Sequence, residues 1–284
     1  MSALASPPPF PRKASFKPPA GTCDAHCHVF GRGSKFPYAP NRRYTPEDAP
    51  KEALAEHHAR LGIDRAVIVQ ASCHGIDNRA MLDAIADDPK RYRGVAIVDG
   101  TFSDADFQTL HDGGVRGVRF NFVRHLGGTP DMDVFRRVLD RVKGLGWHVV
   151  LHLDAPDIIP LSDMINRLPL PFVIDHMGRV PAADGVAQPP FRALLELLKN
   201  ERCWIKVCGS ERISMPPYDA AIPIANALVT AGGDRVLWGT DFPHPNPTHH
   251  ADDAALLELV PRFAPSEREQ HRVLVDNPAR LYGF

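Results

Sequence analysis

The chain alternates short apolar runs with amphipathic stretches eight times, and few folds accept that pattern. The runs are Thr22–Val29, Ala66–Ala71, Tyr92–Asp99, Val115–Phe122, His148–Asp154, Phe172–Met177, Cys203–Cys208 and Val236–Asp241. They are continuous and rich in Val, Ile and Phe, as a parallel sheet covered on both faces requires. Between them lie helical patterns, among them PEDAPKEALAEHHARLG, NRAMLDAIADD, ADFQTLHDGG, DVFRRVLDRVKGLG and FRALLELLKN. Many of these end in Gly or Pro, which stop helices. Eight strand–helix units predict an α/β fold, a single (β/α)8 TIM barrel over residues 21–284, with its active site at the carboxyl ends of the strands. An open doubly wound sheet is the rival, but no G-x-G-x-x-G turn follows the first strand.

Residues 1–20 are set apart by their prolines and read as a surface arm. They contain no continuous apolar segment of the secretory kind. A formal net charge of −1 over 284 residues gives no basis for binding nucleic acid or an anionic membrane. No apolar run approaches the roughly 20 residues that span a bilayer. The five cysteines, Cys23, Cys27, Cys73, Cys203 and Cys208, are odd in number and lack a C-x-x-C pair. They read as free buried thiols in a reducing cytosol, so the expected location is cytoplasmic.

The chemistry gathers at strand ends. Asp24-Ala25-His26-Cys27-His28 closes the first strand, and residues two apart in a strand project to the same side. His26 and His28 therefore converge at the barrel mouth, either as a metal-binding pair or as hydrogen-bonded core histidines. His152 closes the fifth strand, His176 the sixth and Asp241 the eighth. Ionisable groups at four strand ends are not explained by packing, because burying unpaired polar groups is costly. Strand alternation turns Arg119 inward if its register holds, where a guanidinium could grip an acid group; a surface ion pair is the alternative. Two long connections, Phe30–Thr45 and His244–Asp252, leave the same face. His57-His58 on a polar helix and His249-His250 in a loop read as solvated, and Lys206 reads as either a substrate contact or a buried paired charge.

Taken together, CDAHCHVFG (23–31), FPYAP (36–40), RYTPEDA (43–49), VIVQASCHGIDN (67–78), RGVRFNF (116–122), VIDHMGR (173–179), WGTDFPHPN (238–246) and NPARLYGF (277–284) carry a resemblance. The chain resembles the amidohydrolase-2 branch of the amidohydrolase superfamily, and within it the 2-pyrone-4,6-dicarboxylate lactonases of aromatic catabolism. The resemblance implies a hydrolase that opens the lactone ring of a small anionic substrate. It implies that Asp241 takes a proton from the attacking water. His26, His28 and His176 would polarise the lactone carbonyl or position the water, and Tyr44, Ser72, Arg119, Arg212 and Asn246 would hold the substrate.

Two positions depart from the lactonase pattern. His152 stands where those enzymes, which need no metal, carry a tyrosine. With His26, His28 and Asp241 it completes the ligand set of the superfamily's mononuclear zinc members. One divalent ion, zinc before others, is therefore a candidate cofactor, with metal-independent catalysis as the alternative. Beyond RFNF the lactonases carry a lysine and then an arginine, whereas this chain has Arg124 and then His125. The second acid group would meet a displaced arginine or an imidazole, so a sulfonated or carboxylated muconolactone is a further candidate substrate. Non-oxidative decarboxylation on the same barrel is a second enzyme reading. A silent binding protein is a third, weakened because every strand-end group is present. The expected partner is a small acidic lactone, without nucleic acid or membrane; the sequence does not give the oligomeric state.

Overall fold

The eight strands pair in parallel in chain order: β1 (Cys23–Cys27), β2 (Arg65–Val69), β3 (Tyr92–Ala96), β4 (Val115–Asn121), β5 (His148–His152), β6 (Phe172–Ile174), β7 (Cys203–Lys206) and β8 (Val236–Leu237). Each lies inside one of the predicted runs or overlaps it by all but one residue. The computed structural model describes residues 12–245 and 249–284. The main helices are α1 (Lys51–Leu61), α2 (Arg79–Asp87), α3 (Asp104–Asp112), α4 (Met132–Gly144), α5 (Ala155–Asn166), α6 (Pro189–Leu197), the short α7 (Ser210–Ile213) and α8 (Ala221–Gly232). Beyond β8, the short helix α9 spans Asp253–Glu258. Helix α1 starts five residues later than its sequence pattern. Residue 49 precedes a proline, which disfavours helical backbone, and Ala49 instead pairs with Phe30 in an antiparallel bridge.

The core has two layers. Apolar faces of the helices pack on the outer surface of the barrel, with Leu54, Phe107, Phe135, Phe191 and Leu228 among the buried side chains. Inside the barrel a smaller cluster of Ala25, Val67, Val95, Val150, Val173, Trp204 and Leu237 is joined by Tyr282. All five cysteines are free and buried. No helix among the described residues is long and apolar enough to cross a membrane. The described part of the proline-rich arm runs back to α9, where Arg12 and Ser15 both bond the Glu258 carboxylate. The rest of the arm lies outside the described residues.

Closure of the barrel falls on β1 and the segment around β8. Ala25 N–H donates to Trp238 O at 2.8 Å, Asp241 N–H to His26 O at 2.7 Å, and His28 N–H to Phe242 O at 2.7 Å. A Cβ on Gly239 would stand 2.6 Å from His26 N, so only glycine permits this approach. The Asp24 carboxylate, fully buried, fastens the seam. It accepts bonds from the backbone N–H of His26 and of Thr240, both at 3.0 Å, from the Thr240 hydroxyl, and from His58 Nε2 at 3.1 Å. Burial alone would raise its pKa, but the His58 bond and the other donors outweigh burial and hold the carboxyl below its ordinary value. The expectation that His57 and His58 are solvated is thus corrected. Both are buried, His58 on Asp24 and His57 with Nε2 3.3 Å from Asp253.

Removing one partner of a buried ionic network leaves the others unpaired, typically at about 3–5 kcal/mol. Asp24→Ala is expected to lower unfolding stability at pH 7 by that amount, read as a shift in the urea midpoint. Because the folded carboxyl is depressed, its contribution is full above about pH 4 and fades as pH falls through the folded value. A loss below about 1 kcal/mol would mean that the backbone bonds hold the seam without it.

Candidate active site

Strand alternation sends His26 and His28 to the barrel mouth as expected, with ring centroids 5.1 Å apart. Asp241 meets them from across the seam. It takes a left-handed backbone conformation, φ 65°, which turns its carboxylate over the barrel axis. Its Oδ1 lies 3.2 Å from His28 Nε2 and 3.6 Å from His26 Nε2. Its Oδ2 accepts two bonds from Arg212, one from Nε at 2.5 Å and one from Nη2. Burial would raise the Asp241 pKa, but the Arg212 charge, then His176 and the His28 bond, keep it well below the usual carboxylate range.

His176 enters from the end of β6, its ring 4.6 Å from that of His26. Four successive residues, His176 to Arg179, have positive φ, between 50° and 63°. Each non-glycine in that region costs about 1–3 kcal/mol unless its surroundings over-determine it, and such strain collects at functional sites. Burial keeps the His176 ring well below its ordinary pKa against the pull of Asp241. His152 is lowered in the same way, by burial and then by the Arg119 charge. Its Nδ1 is 3.0 Å from Asn121 Oδ1, while its Nε2 is buried without a partner.

A charged floor supports these rings. Asp175, fully buried, lies 3.1 Å from Lys206 Nζ and 3.2 Å from His26 Nδ1, and it accepts a 3.0 Å bond from Arg119 Nε. Lys206 first, then His26 and Arg119, outweigh burial and hold its carboxyl well below the ordinary value. Burial and the neighbouring Lys206 push the His26 ring down to about 4. Lys206 is therefore a buried paired charge, which settles the alternative left open by the sequence.

The pocket above this floor is lined by His28, Tyr44, Ser72, Arg119, His125, Leu126, His152, His176, Arg212, Asp241 and Pro245. It brings together nearly all the residues singled out from the sequence, with His26 beneath them. Two lie elsewhere. Arg124 has a side chain 80% exposed and points outward, 4.0 Å from Asp157, so it does not reach the pocket. Asn246 lies outside the described residues. His125 stands at the rim, pushed below its ordinary pKa by burial and then by the Arg179 charge. The expected metal set is only partly gathered. Potential ligand atoms of His26, His176 and Asp241 lie within 4.8 Å of one another, His28 adjoins them through Asp241, and His152 stands behind His176.

Sequence reasoning missed Asp175, Arg179, Glu211 and His244. Asp175 and Arg179 flank His176 in VIDHMGR, and that adjacency was the available signal. His244 lies between Asp253 at 2.9 Å and Glu211 at 3.5 Å. Burial would lower its pKa, but Asp253 and then Glu211 raise it well above the ordinary value. Nothing in the sequence joins those three positions.

Comparison with known proteins places this geometry in a family. A 2-pyrone-4,6-dicarboxylate hydrolase of Comamonas testosteroni is 46% identical over 284 aligned residues, covering 96% of this chain and 93% of its own. A 4-sulfomuconolactone hydrolase of Rhizobium radiobacter is 43% identical, with coverage of 95% and 92%. The crystal structure of a probable 2-pyrone-4,6-dicarboxylic acid hydrolase from Acinetobacter baumannii, with citric acid bound, superposes with a TM-score of 0.83 at 30% identity. That match covers 93% of this chain and 100% of the other. The family profile described as amidohydrolase matches residues 23–284, and with its barrel and strand-end site the chain belongs to the amidohydrolase family.

Proposed function

We propose that this protein hydrolyses the lactone ring of a small anionic acid of the 2-pyrone-4,6-dicarboxylate type, within the degradation of aromatic compounds. The observation that carries the reading is the Asp241 carboxylate, buried at the base of a cationic pocket with Oδ1 facing two imidazoles and Oδ2 held by Arg212. The relatives that share 46% and 43% of its residues act on lactones of this class.

Ring opening needs a base for the attacking water and donors where the carbonyl oxygen gains charge. Asp241 takes the proton of the water through Oδ1, and the imidazoles around it supply the donors. Arg212 holds the other oxygen of Asp241, so the carboxylate has one orientation. Arg119 and Arg212 place positive charge against the acid groups of the substrate, and guanidinium stays charged at every working pH. Tyr44, Ser72 and His125 complete the wall, with Asn246 assigned to it by resemblance alone.

A divalent ion fits this donor set. The 3.2 and 3.6 Å separations from Asp241 Oδ1 to the imidazole nitrogens bracket the roughly 3.3 Å between ligands of a tetrahedral zinc. His26 Nε2 and His152 Nε2 are buried without hydrogen-bond partners. Zinc would be held by His26, His28, His152 and Asp241, and would add Lewis-acid polarisation to the site. One observation favours a second substrate. With Arg124 outside the pocket and a neutral-leaning His125 at its rim, one acid subsite lacks its second arginine. That suits a sulfonated muconolactone, in which a single acid group differs.

Three outcomes are expected. Asp241→Asn keeps the shape of the side chain but not its basicity, and should lower kcat by about 10²–10⁴-fold with the fold intact by circular dichroism; near-wild-type turnover would remove Asp241 as the base. Arg119→Met should lower kcat/KM by about 10- to 150-fold, the equivalent of a charge-assisted bond of roughly 1.5–3 kcal/mol, while Arg124→Met leaves it unchanged. Parallel kinetics of the two variants on dicarboxylate and sulfonated lactones checks both the placement and the preferred acid group. Elemental analysis of protein purified without chelator should find about one zinc per chain, lost on acidification because ligation requires neutral rings. Full activity with far less metal would leave His152 as a substrate contact.

A further inference from the structure

We propose that Cys208 fixes the tautomer of His176, so that the ring presents Nε2–H to the substrate carbonyl as a hydrogen-bond donor. Cys208 is then a positioning residue, acting on the reaction only through the imidazole. The inference deepens the lactone-hydrolase reading and rests on it for the identity of the carbonyl.

Cys208 lies two residues beyond β7, fully buried, with Sγ 3.3 Å from His176 Nδ1. The next residue lets them meet. Gly209 has φ 79°, and a Cβ there would come within 2.9 Å of His176 Nδ1 and 3.0 Å of His176 Cβ. The ring is thus pressed against bare backbone on one side, while its own left-handed conformation, φ 50°, directs it over the barrel axis. In that position its far nitrogen, Nδ1, meets the thiol.

The direction of the hydrogen bond follows from what each atom can do. Burial, then the Asp175 charge, pushes the Cys208 thiol well above its ordinary value, so sulfur keeps its proton. A neutral thiol is a weak acceptor, whereas an unprotonated imidazole nitrogen is a good one, so S–H donates to Nδ1. On the near side, a carboxylate oxygen of Asp241 lies within 4.8 Å of a ring nitrogen of His176. A carboxylate there favours the proton on the nitrogen that faces it. Both sides of the ring therefore select the Nε2–H form.

His28 is fixed in the same manner by a hidden partner. Its Nδ1 lies 2.7 Å from the carbonyl oxygen of Val69, which can only accept, so Nδ1 carries a proton. The partner on the hidden nitrogen settles how that nitrogen is protonated.

The test uses the full-length protein labelled with 15N-histidine. Long-range 1H–15N spectra report which ring nitrogen carries the proton, with His176 assigned by the signal lost in His176→Gln. Wild-type His176 is expected in the Nε2–H form. Cys208→Ala should shift it towards Nδ1–H and lower kcat about tenfold with little change in KM. Cys208→Ser, which restores a donor, should recover both readouts. An Nδ1–H ring in the wild type would overturn the proposal, as would an unchanged tautomer and kcat in Cys208→Ala. If the alanine variant does not fold, the wild-type spectrum and the serine variant decide. The spectra need no substrate, so an absence of lactonase activity would count against the functional reading and leave this one to stand or fall separately.

Discussion

The Asp24 carboxylate sits with no access to solvent at the junction of the first and last strands, and the architecture of the site depends on its four hydrogen bonds. Two of them fix backbone N–H groups of His26 and Thr240, so the residue that aims the first imidazole and the one that precedes Asp241 share a single acceptor. A third reaches His58 on α1, which anchors the first helix to the same point. A buried ion is tolerated only when it is fully hydrogen bonded. Here that requirement also determines where His26 and Asp241 can be.

Charge in this protein is layered along the barrel axis. At the bottom, apolar side chains and Tyr282 fill the interior. Above them Asp175 is surrounded by Lys206, His26 and Arg119, and above that Asp241 is held by Arg212. Each buried carboxylate has a permanent cation beside it, so both remain charged while burial holds the rings of His26, His152 and His176 below their ordinary pKa. Neutral rings and ionised carboxylates are the protonation states that a water-activating site requires.

Much of this was legible in the sequence, for definite reasons. Strand positions follow from short apolar runs, and the inward direction of His26, His28 and Arg119 follows from a period of two. Arg124 was less tractable, because it lies past the end of β4 in a turn where no periodicity says which way a side chain faces. His57 and His58 were misread for a related cause. Their helix is polar overall, and their burial comes from partners distant in sequence, Asp24 and Asp253. The same applies to the Glu211–His244–Asp253 cluster, whose members meet only because the loop after β8 folds back over α7. Local patterns reveal which face a residue presents and are silent about long-range pairing.

The seam between β1 and the β8 segment has a consequence for how activity arises during synthesis. His26 and Asp241 are separated by almost the whole barrel, yet the backbone N–H of Asp241 bonds directly to the carbonyl of His26. A ribosome-bound chain that has emerged only through β7 can pair its neighbouring strands in order, but it holds imidazoles without the carboxylate that completes them. The site is therefore complete only once the ring closes, and a chain stopped before β8 would lack the Asp241 carboxylate even where most of its sheet has formed.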